Sequence, residues 1–465
     1  MTETVLLSRL QFGFVISFHI LFPAFTIGLA SWLAFLEAWW LRTRADVLRD
    51  LYFFWMKIFA VSFGVGVVTG IVMSFQFGTN WAGFSTAAGN VVGPLLDYEV
   101  LTAFFMEATF FGVMLFGWQR VSHRAHFFAT CMVALGTLFS SFWIISANSW
   151  MQTPAGYALH DGVFYPADWW AVIFNPSFFY RLPHMVLAAF LTTAFVIGGV
   201  SAFYLARGQF ADKARLCLKC ALVFVAIVAP LQIIVGDLSG QEVREHQPAK
   251  LAAIEARWNT ESNVALTLFA IPDEQAERNN YALDVPHLGS LILTHSWSGE
   301  VQGLKDFAPQ DRPPVLIPFY AFRIMVGLGL LMLFVAWIGL WKLWRGNAFS
   351  SRWYLRAWMA MTPSGFVALV LGWWVTEVGR QPWVVYGVLR TADAVSPVPA
   401  GSVLVSLVVY VVVYLVLFGF ATWYLIRMLR TGPVAVPPRP RTAQTAARPL
   451  SLGDEAGAGV LRDAK

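Results

Sequence analysis

Nine long apolar runs constrain this 465-residue chain more than any other feature; they lie near residues 12–38, 53–78, 94–118, 126–150, 178–206, 217–236, 317–341, 355–380 and 402–426. About 20 apolar residues, at ~1.5 Å each, carry a helix across a hydrocarbon core of ~30 Å. The expected fold class is an all-α integral membrane protein with about nine transmembrane helices, packed in a lipid bilayer. Composition agrees, with 58% apolar and 13% charged residues, where soluble domains have roughly 45–50% apolar. An ordinary cytosolic protein is excluded. Aromatic residues reach 16%, a surplus that needs lipid or a flat cofactor to pack against. The net charge of +5 comes from basic residues at the ends of the apolar runs, so no nucleic acid partner is expected. The three cysteines include Cys217 and Cys220 in a C-x-x-C without a following His. They exclude a disulfide framework, covalent c-type haem attachment and four-thiolate iron–sulfur ligation.

Short loops rich in Lys and Arg stay on the cytoplasmic side. Here they alternate. Arg42, Arg44 and Arg49 follow the first run, Arg120 and Arg124 the third, and Arg207, Lys213 and Arg215 the fifth. Lys342, Arg345, Arg352 and Arg356 follow the seventh, and Arg427 and Arg430 the ninth, whereas 79–93 and 151–177 contain no Lys or Arg. The pattern predicts a periplasmic N-terminus and a cytoplasmic C-terminus. The first run is too long for a signal-peptide core and is expected to stay in the mature protein. Four regions follow: a membrane domain over 1–236 with helices one to six, a periplasmic loop over 237–316, helices seven to nine over 317–430, and a disordered cytoplasmic tail over 431–465. A connection as long as 237–316 suggests function. Within it, Lys250-Leu-Ala-Ala-Ile-Glu255-Ala favours helix. By composition alone it reads as a solvated helix, whose Lys250 and Glu255 could reach a polar ligand at the membrane face.

Ionisable residues inside spans are costly and are presumed functional unless paired. Counted at ~1.5 Å per residue, His19, His184 and Met325 lie about 10, 9 and 12 Å from the outer ends of their spans, and Glu99 and Glu377 fall in the same outer third. Imidazole, thioether and carboxylate donors at one depth suit haem iron, which accepts His alone, His with Met, or an oxygen ligand. Taken singly, a buried His more often packs and hydrogen-bonds, and a lone Met fills core. Glu99 and Glu107 differ by about 80° and ~12 Å on a regular helix. They suit two steps of a proton path, or two carboxylates neutralised by protonation or by a partner helix. Glu377 and Arg380 share a face with Trp373. Arg323 points about 160° away from Met325, so if Met325 faces iron, Arg323 serves a haem propionate or a buried charge. A cofactor-free transporter or proton channel would use the same carboxylates and histidines. It leaves Met325 and the common depth without a reason.

The strings QFGTNW at 76–81, ANSWMQ at 147–152, KLAAIEA at 250–256, FRIMVGLG at 322–329, GWWVTE at 372–377 and GRQPW at 379–383 together resemble subunit I of cytochrome bd-type quinol oxidases. The resemblance runs from Arg9 to about Arg430. It implies a bacterial inner-membrane terminal oxidase that takes electrons from quinol at the periplasmic side and reduces dioxygen to water. Proton motive force would then arise by charge separation without pumping. It also implies subunit II and, as an open alternative, a small single-helix subunit as partners. His184 and Met325 fall at the axial ligands of a low-spin haem b. His19 and Glu377 fall at the ligands of a high-spin haem b and a haem d, with His19 assigned to the d-type haem where oxygen reacts. Glu99 and Glu107 match carboxylates of proton delivery or charge compensation, and Lys250 and Glu255 match quinol-oxidation residues of the outer Q-loop. Arg323, Trp373 and Arg380 match residues around the haems. Only about 60 residues separate KLAAIEA from the seventh run, as in the short-Q-loop class. That class includes cyanide-insensitive oxidases, and a further haem b in place of haem d stays open.

Overall fold

A computed structural model of the chain describes residues 3–435. Among these residues, nine helical stretches are long and apolar enough to cross a membrane. The first consists of α1 (Glu3–His19) and α2 (Leu21–Thr43). Pro23 has no N–H to offer the carbonyl of His19, four residues back, so the span breaks at that histidine. The helix starts at Glu3, ahead of the apolar run, which puts His19 ~24 Å along it and not the ~10 Å expected from the run alone. The second span is α3 (Asp46–Thr79). The third joins α4 (Ala82–Glu99) to α5 (Phe105–Phe116) through a π-helical turn, Val100–Phe104. The fourth, α6 (His123–Gln152), starts at Ser122, whose side chain accepts from the Ala125 N–H.

A hairpin of β1 (Tyr157–His160) and β2 (Val163–Pro166), then α7 (Trp169–Ile173), lead to α8 (Phe178–Ala206). The sixth span, α9 (Ala211–His246), continues past residue 236, because polar residues end the apolar run without ending the helix. The long loop opens with α10 (Pro248–Ile254), where Pro248 takes the first helical turn. Its strands β3 (Glu261–Ser262), β4 (Leu266–Asp273), β5 (Arg278–Val285) and, after α11 (Leu288–Thr294), β6 (Glu300–Val301) form two antiparallel pairs, β4 with β5 and β3 with β6. The seventh span is α12 (Leu316–Trp344), and the eighth is α13 (Arg352–Ala360) with α14 (Ser364–Val378). After β7 (Trp383–Val385), β8 (Leu389–Arg390) and α15 (Thr391–Ala394) comes the ninth, α16 (Ala400–Thr431). Of the tail expected over 431–465, everything from residue 436 lies outside the described residues.

Helices α8, α9, α12 and α14 pack as a closed ring, each against two of the others, while α1 packs with α3 and α16, and α2 sits between α3, α6 and α8. The largest apolar core, with Trp55, Phe59, Phe195 and Trp358 at its centre, fills the half of the bundle nearest the basic loops. The other half, under the long loop, carries most of the candidate residues. The solvated-helix expectation for α10 is overturned. Ala249 to Ile254 are all buried, because the alanines let α10 lie against α9 and α12.

Candidate functional site

At the long-loop end, α6, α8, α10 and the end of α14 bring polar side chains to one place. Asn148 and Gln152 are one turn apart on α6, so both reach Glu377: Asn148 Nδ2 donates to Glu377 Oε1 at 3.0 Å and Gln152 Nε2 at 3.3 Å. Arg380 pairs with the other oxygen, Oε2. Arg181 Nη2 donates to Asn148 Oδ1 at 2.5 Å, which turns the Asn148 NH₂ toward Glu377. From the loop, Lys250 Nζ donates to Gln152 Oε1 and to Gln247 Oε1, each at 3.1 Å. The Gln152 amide therefore joins the Lys250 ammonium to the Glu377 carboxylate. Lys250 is only 4% exposed. Burial, with the Arg181 and Arg380 guanidiniums nearby, brings its pKa down to about 7 against the pull of Glu377 and Glu242. Burial also lowers the pKa of Arg380, against the pull of Glu377. Its Nε and Nη1 have no partner among the described residues.

Glu255 faces a different group. It is 2% exposed and pairs with Arg323 Nη2 at 3.0 Å. Arg323 also donates from Nε to the Thr267 carbonyl at 2.8 Å and from Nη1 to the Ile254 carbonyl at 2.7 Å, and it lies 3.7 Å over the Phe319 ring. One α12 side chain thus docks α10 and β4 onto the bundle and meets a buried charge. Lys250 and Glu255, which the sequence suggests could reach a polar ligand at the membrane face, are both buried. Both are engaged inside the protein: Lys250 lies within α10 and Glu255 caps its end, turned to different partners.

His184 and Met325 belong to α8 and α12, which face each other diagonally across the four-helix ring. Gln232 Nε2 lies 3.4 and 3.3 Å from the two ring nitrogens of His184. His19 Nδ1 lies 3.0 Å from Thr69 Oγ1 of α3. Each of these donors has a glycine against it. A Cβ at Gly236 would stand 3.3 Å from His184 Cε1, one at Gly70 3.2 Å from His19 Cε1, and one at Gly372 3.0 Å from Met325 Sδ. Trp373 packs on the apolar cluster of Ile20, Ala24, Ala189 and Leu369, beside the break at His19.

Glu99 accepts from Ser140 Oγ at 2.7 Å, and buried Glu107 lies against Gly136, where an added Cβ would come within 2.4 Å of its Cγ. Ser140 and Gly136 are one turn apart on α6. Both carboxylates therefore face the same strip of α6, and the 80° offset expected of a regular helix is absent. The π turn between them is the cause. It inserts one residue, so eight positions turn as seven would, which closes the offset to about 20°.

Residues 7–433 match the family model described as cytochrome bd terminal oxidase subunit I. The chain belongs to that family. It is 38% identical over 444 residues to cytochrome bd ubiquinol oxidase subunit 1 of Bacillus subtilis (strain 168), covering 93% of this chain and 94% of that one. It is 34% identical to cytochrome bd-II ubiquinol oxidase subunit 1 of Escherichia coli (strain K12), covering 96% of this chain and 100% of that one. Among solved structures, the bd oxidase from Geobacillus thermodenitrificans matches with a TM-score of 0.87 at 31% identity, covering 93% of this chain and 99% of the other. A bd oxidase subunit I is a multi-pass protein of the bacterial inner membrane, and the cofactor-free transporter reading falls away. Haem is the family's cofactor, and the donors here fit it. Among the described residues no three His, Cys, Asp or Glu converge as a bare metal site would need. A porphyrin already supplies four nitrogens and asks the protein for one or two axial donors. His19, His184, Met325 and Glu377 are single donors on separate helices, three of them beside a glycine that leaves room for a flat group. Sequence reasoning missed Asn148, Gln152, Arg181 and Gln232. The first two stood in the quoted string ANSWMQ, spaced to share one helix face.

Proposed function

We propose that this chain oxidises quinol beneath its long loop and supports dioxygen reduction at donors deeper in the same half of the bundle. As a member of its family it is a quinol:oxygen oxidoreductase that carries haem and works in a complex with subunit II. Quinol binds beside Lys250, which keeps a third N–H after donating to Gln152 and Gln247, and near the Glu255 carboxylate held by Arg323. The two quinol protons leave on this side, which the loop charges make periplasmic. His184 and Met325 would hold a low-spin haem b from opposite helices of the ring. Glu377 and His19 would hold two high-spin groups, a haem b and a haem d, or a further haem b if the short Q-loop reading applies. Haem, when bound, supplies the iron that carries electrons and reduces dioxygen. Asn148, Gln152 and Arg380 fix the Glu377 carboxylate, Arg380 offers its unpartnered Nε and Nη1 to an anionic substituent, and Trp373 closes the apolar wall near His19. Glu107 and Glu99, aligned by the π turn, hold protons drawn from the cytoplasmic side, and Ser140 presents its hydroxyl to Glu99. Protons released on one side and consumed from the other build proton motive force without pumping. A small single-helix subunit completes the assembly.

The observation that carries this reading is the bonded line from Lys250 through Gln152 to Glu377, which connects the loop helix to a proposed iron ligand. Optical spectra and pyridine haemochrome analysis of the purified complex test it. Met325→Leu should convert the low-spin haem signal to high spin with haem content retained; an unchanged spectrum removes the ligand assignment, and a haem-free active complex removes the whole reading.

A further inference from the structure

A second buried polar cluster lies inside the apolar core of the other half, and nothing above uses it. Glu37 of α2 and His126 of α6 face each other, Oε1 to Nδ1 at 2.7 Å, with both side chains 0% exposed. Glu37 Oε2 accepts from Thr130 Oγ1 at 2.6 Å, and the Tyr52 hydroxyl of α3 lies 3.0 Å from Thr130 Oγ1. The second ring nitrogen, His126 Nε2, lies 3.1 Å from the Met114 carbonyl of α5. A carbonyl only accepts, so Nε2 carries a hydrogen. One proton is then left for the contact between Nδ1 and Oε1. It sits on the ring, giving imidazolium and carboxylate, or on Glu37, giving two neutral groups. Net charge is zero either way, and that is what makes the pair tolerable in a dry core. A line of hydroxyls from Tyr52 through Thr130 reaches the other carboxylate oxygen, Oε2.

We propose that Glu37 and His126 form a proton-sharing site that holds a proton on its way from the basic-loop side to Glu107. Its position is right for that. Met114 lies seven residues after Glu107, two turns and about 10 Å along the same face of α5, a gap that water must bridge. On the basic-loop side His123, one turn before His126, is partly exposed, and Trp118 packs on both imidazoles with ring centroids 5.6 and 5.0 Å away. A proton entering at His123 meets the pair next. In the relay the Nδ1 proton moves to Glu37 Oε1, which neutralises both groups, and the site resets when Glu37 releases a proton toward Glu107 and Nδ1 is reprotonated from the basic-loop side. The direction of travel rests on the proposed cytoplasmic placing of the basic loops; the shared proton does not.

Redox-triggered infrared difference spectra of the haem-loaded complex, in H₂O and D₂O, read the proton directly. The intact protein should show a protonated-carboxyl band appear at the expense of carboxylate and imidazolium bands, and Glu37→Gln should remove it. Proton uptake followed with a pH dye should slow by about a hundredfold in Glu37→Gln at full haem content, the scale of losing a positioned acid–base group. Thr130→Val, which deletes the donor to Oε2 together with the partner of the Tyr52 hydroxyl, should shift that carboxyl band, and it decides the matter if Glu37→Gln does not assemble. Identical carboxyl bands in the intact protein and Thr130→Val, or undiminished proton uptake in Glu37→Gln, would make the pair a fixed tie between helices and overturn the proposal. Absence of haem from the intact complex would instead count against the oxidase reading.

Discussion

Glu377 and Glu37 are both carboxylates inside the bundle, and each is bonded by side chains of α6. Glu377 is bonded by Asn148, Gln152 and Arg380, yet keeps 32% of its side chain accessible. Glu37 has 0%, and each of its oxygens is within bonding distance of a partner. The first arrangement orients a carboxylate and leaves it a face to bind with. The second leaves it nothing to bind, so it can only exchange what its partners already hold. Cost explains where each lies. The open cluster mixes three cations with its carboxylates and sits at the end of the bundle under a polar loop. The closed one is neutral in total and lies within the apolar core, where an uncompensated charge would cost several kcal/mol.

Breaking the open cluster should have the largest effect. Glu377→Ala should lose one high-spin haem and leave the low-spin signal, with oxygen uptake reduced by about a hundredfold or more; haem counting on the purified complex checks it. Next comes Glu255→Gln, which strands the Arg323 cation and should cost about 3 kcal/mol of loop docking, read as faster proteolysis within the long loop. Gln152→Leu cuts the link between Lys250 and Glu377 while leaving both ends in place. About a tenfold loss of quinol oxidation with all haems present is expected, and wild-type kinetics would show the link to be incidental. The smallest effect concerns pH. With Lys250 brought down to about 7, its ammonium loses charge as pH rises through that value, so the KM for quinol should climb there by a few-fold. Lys250→Met should flatten the profile, and a profile unchanged in this variant would assign the titration elsewhere.

The nine spans were legible because a bilayer imposes length and apolarity on every helix that crosses it. The break at His19 was written in Pro23. The partners of Glu377 were half-legible: Asn148 and Gln152 share a helix face in ANSWMQ, but nothing local says that α14 lies opposite. Glu37 escaped notice because it stands at the end of its run, where a charge needs no explanation, and His126 read alone looks like a packed histidine. The 80° offset between Glu99 and Glu107 was misread because no residue type marks a π turn.

By itself, the sequence determined that this chain crosses a membrane as helices, which loops share a side, and which donors lie inside, since periodicity and loop charge follow from the solvent around each segment. Only the tertiary structure decided that Lys250 turns inward to Gln152, that Glu255 belongs to Arg323, and that Glu37 faces His126. Those facts depend on which helices are neighbours and how far each is rotated, and a rotation of one residue position, 100° on an α-helix, sends a side chain to a different partner.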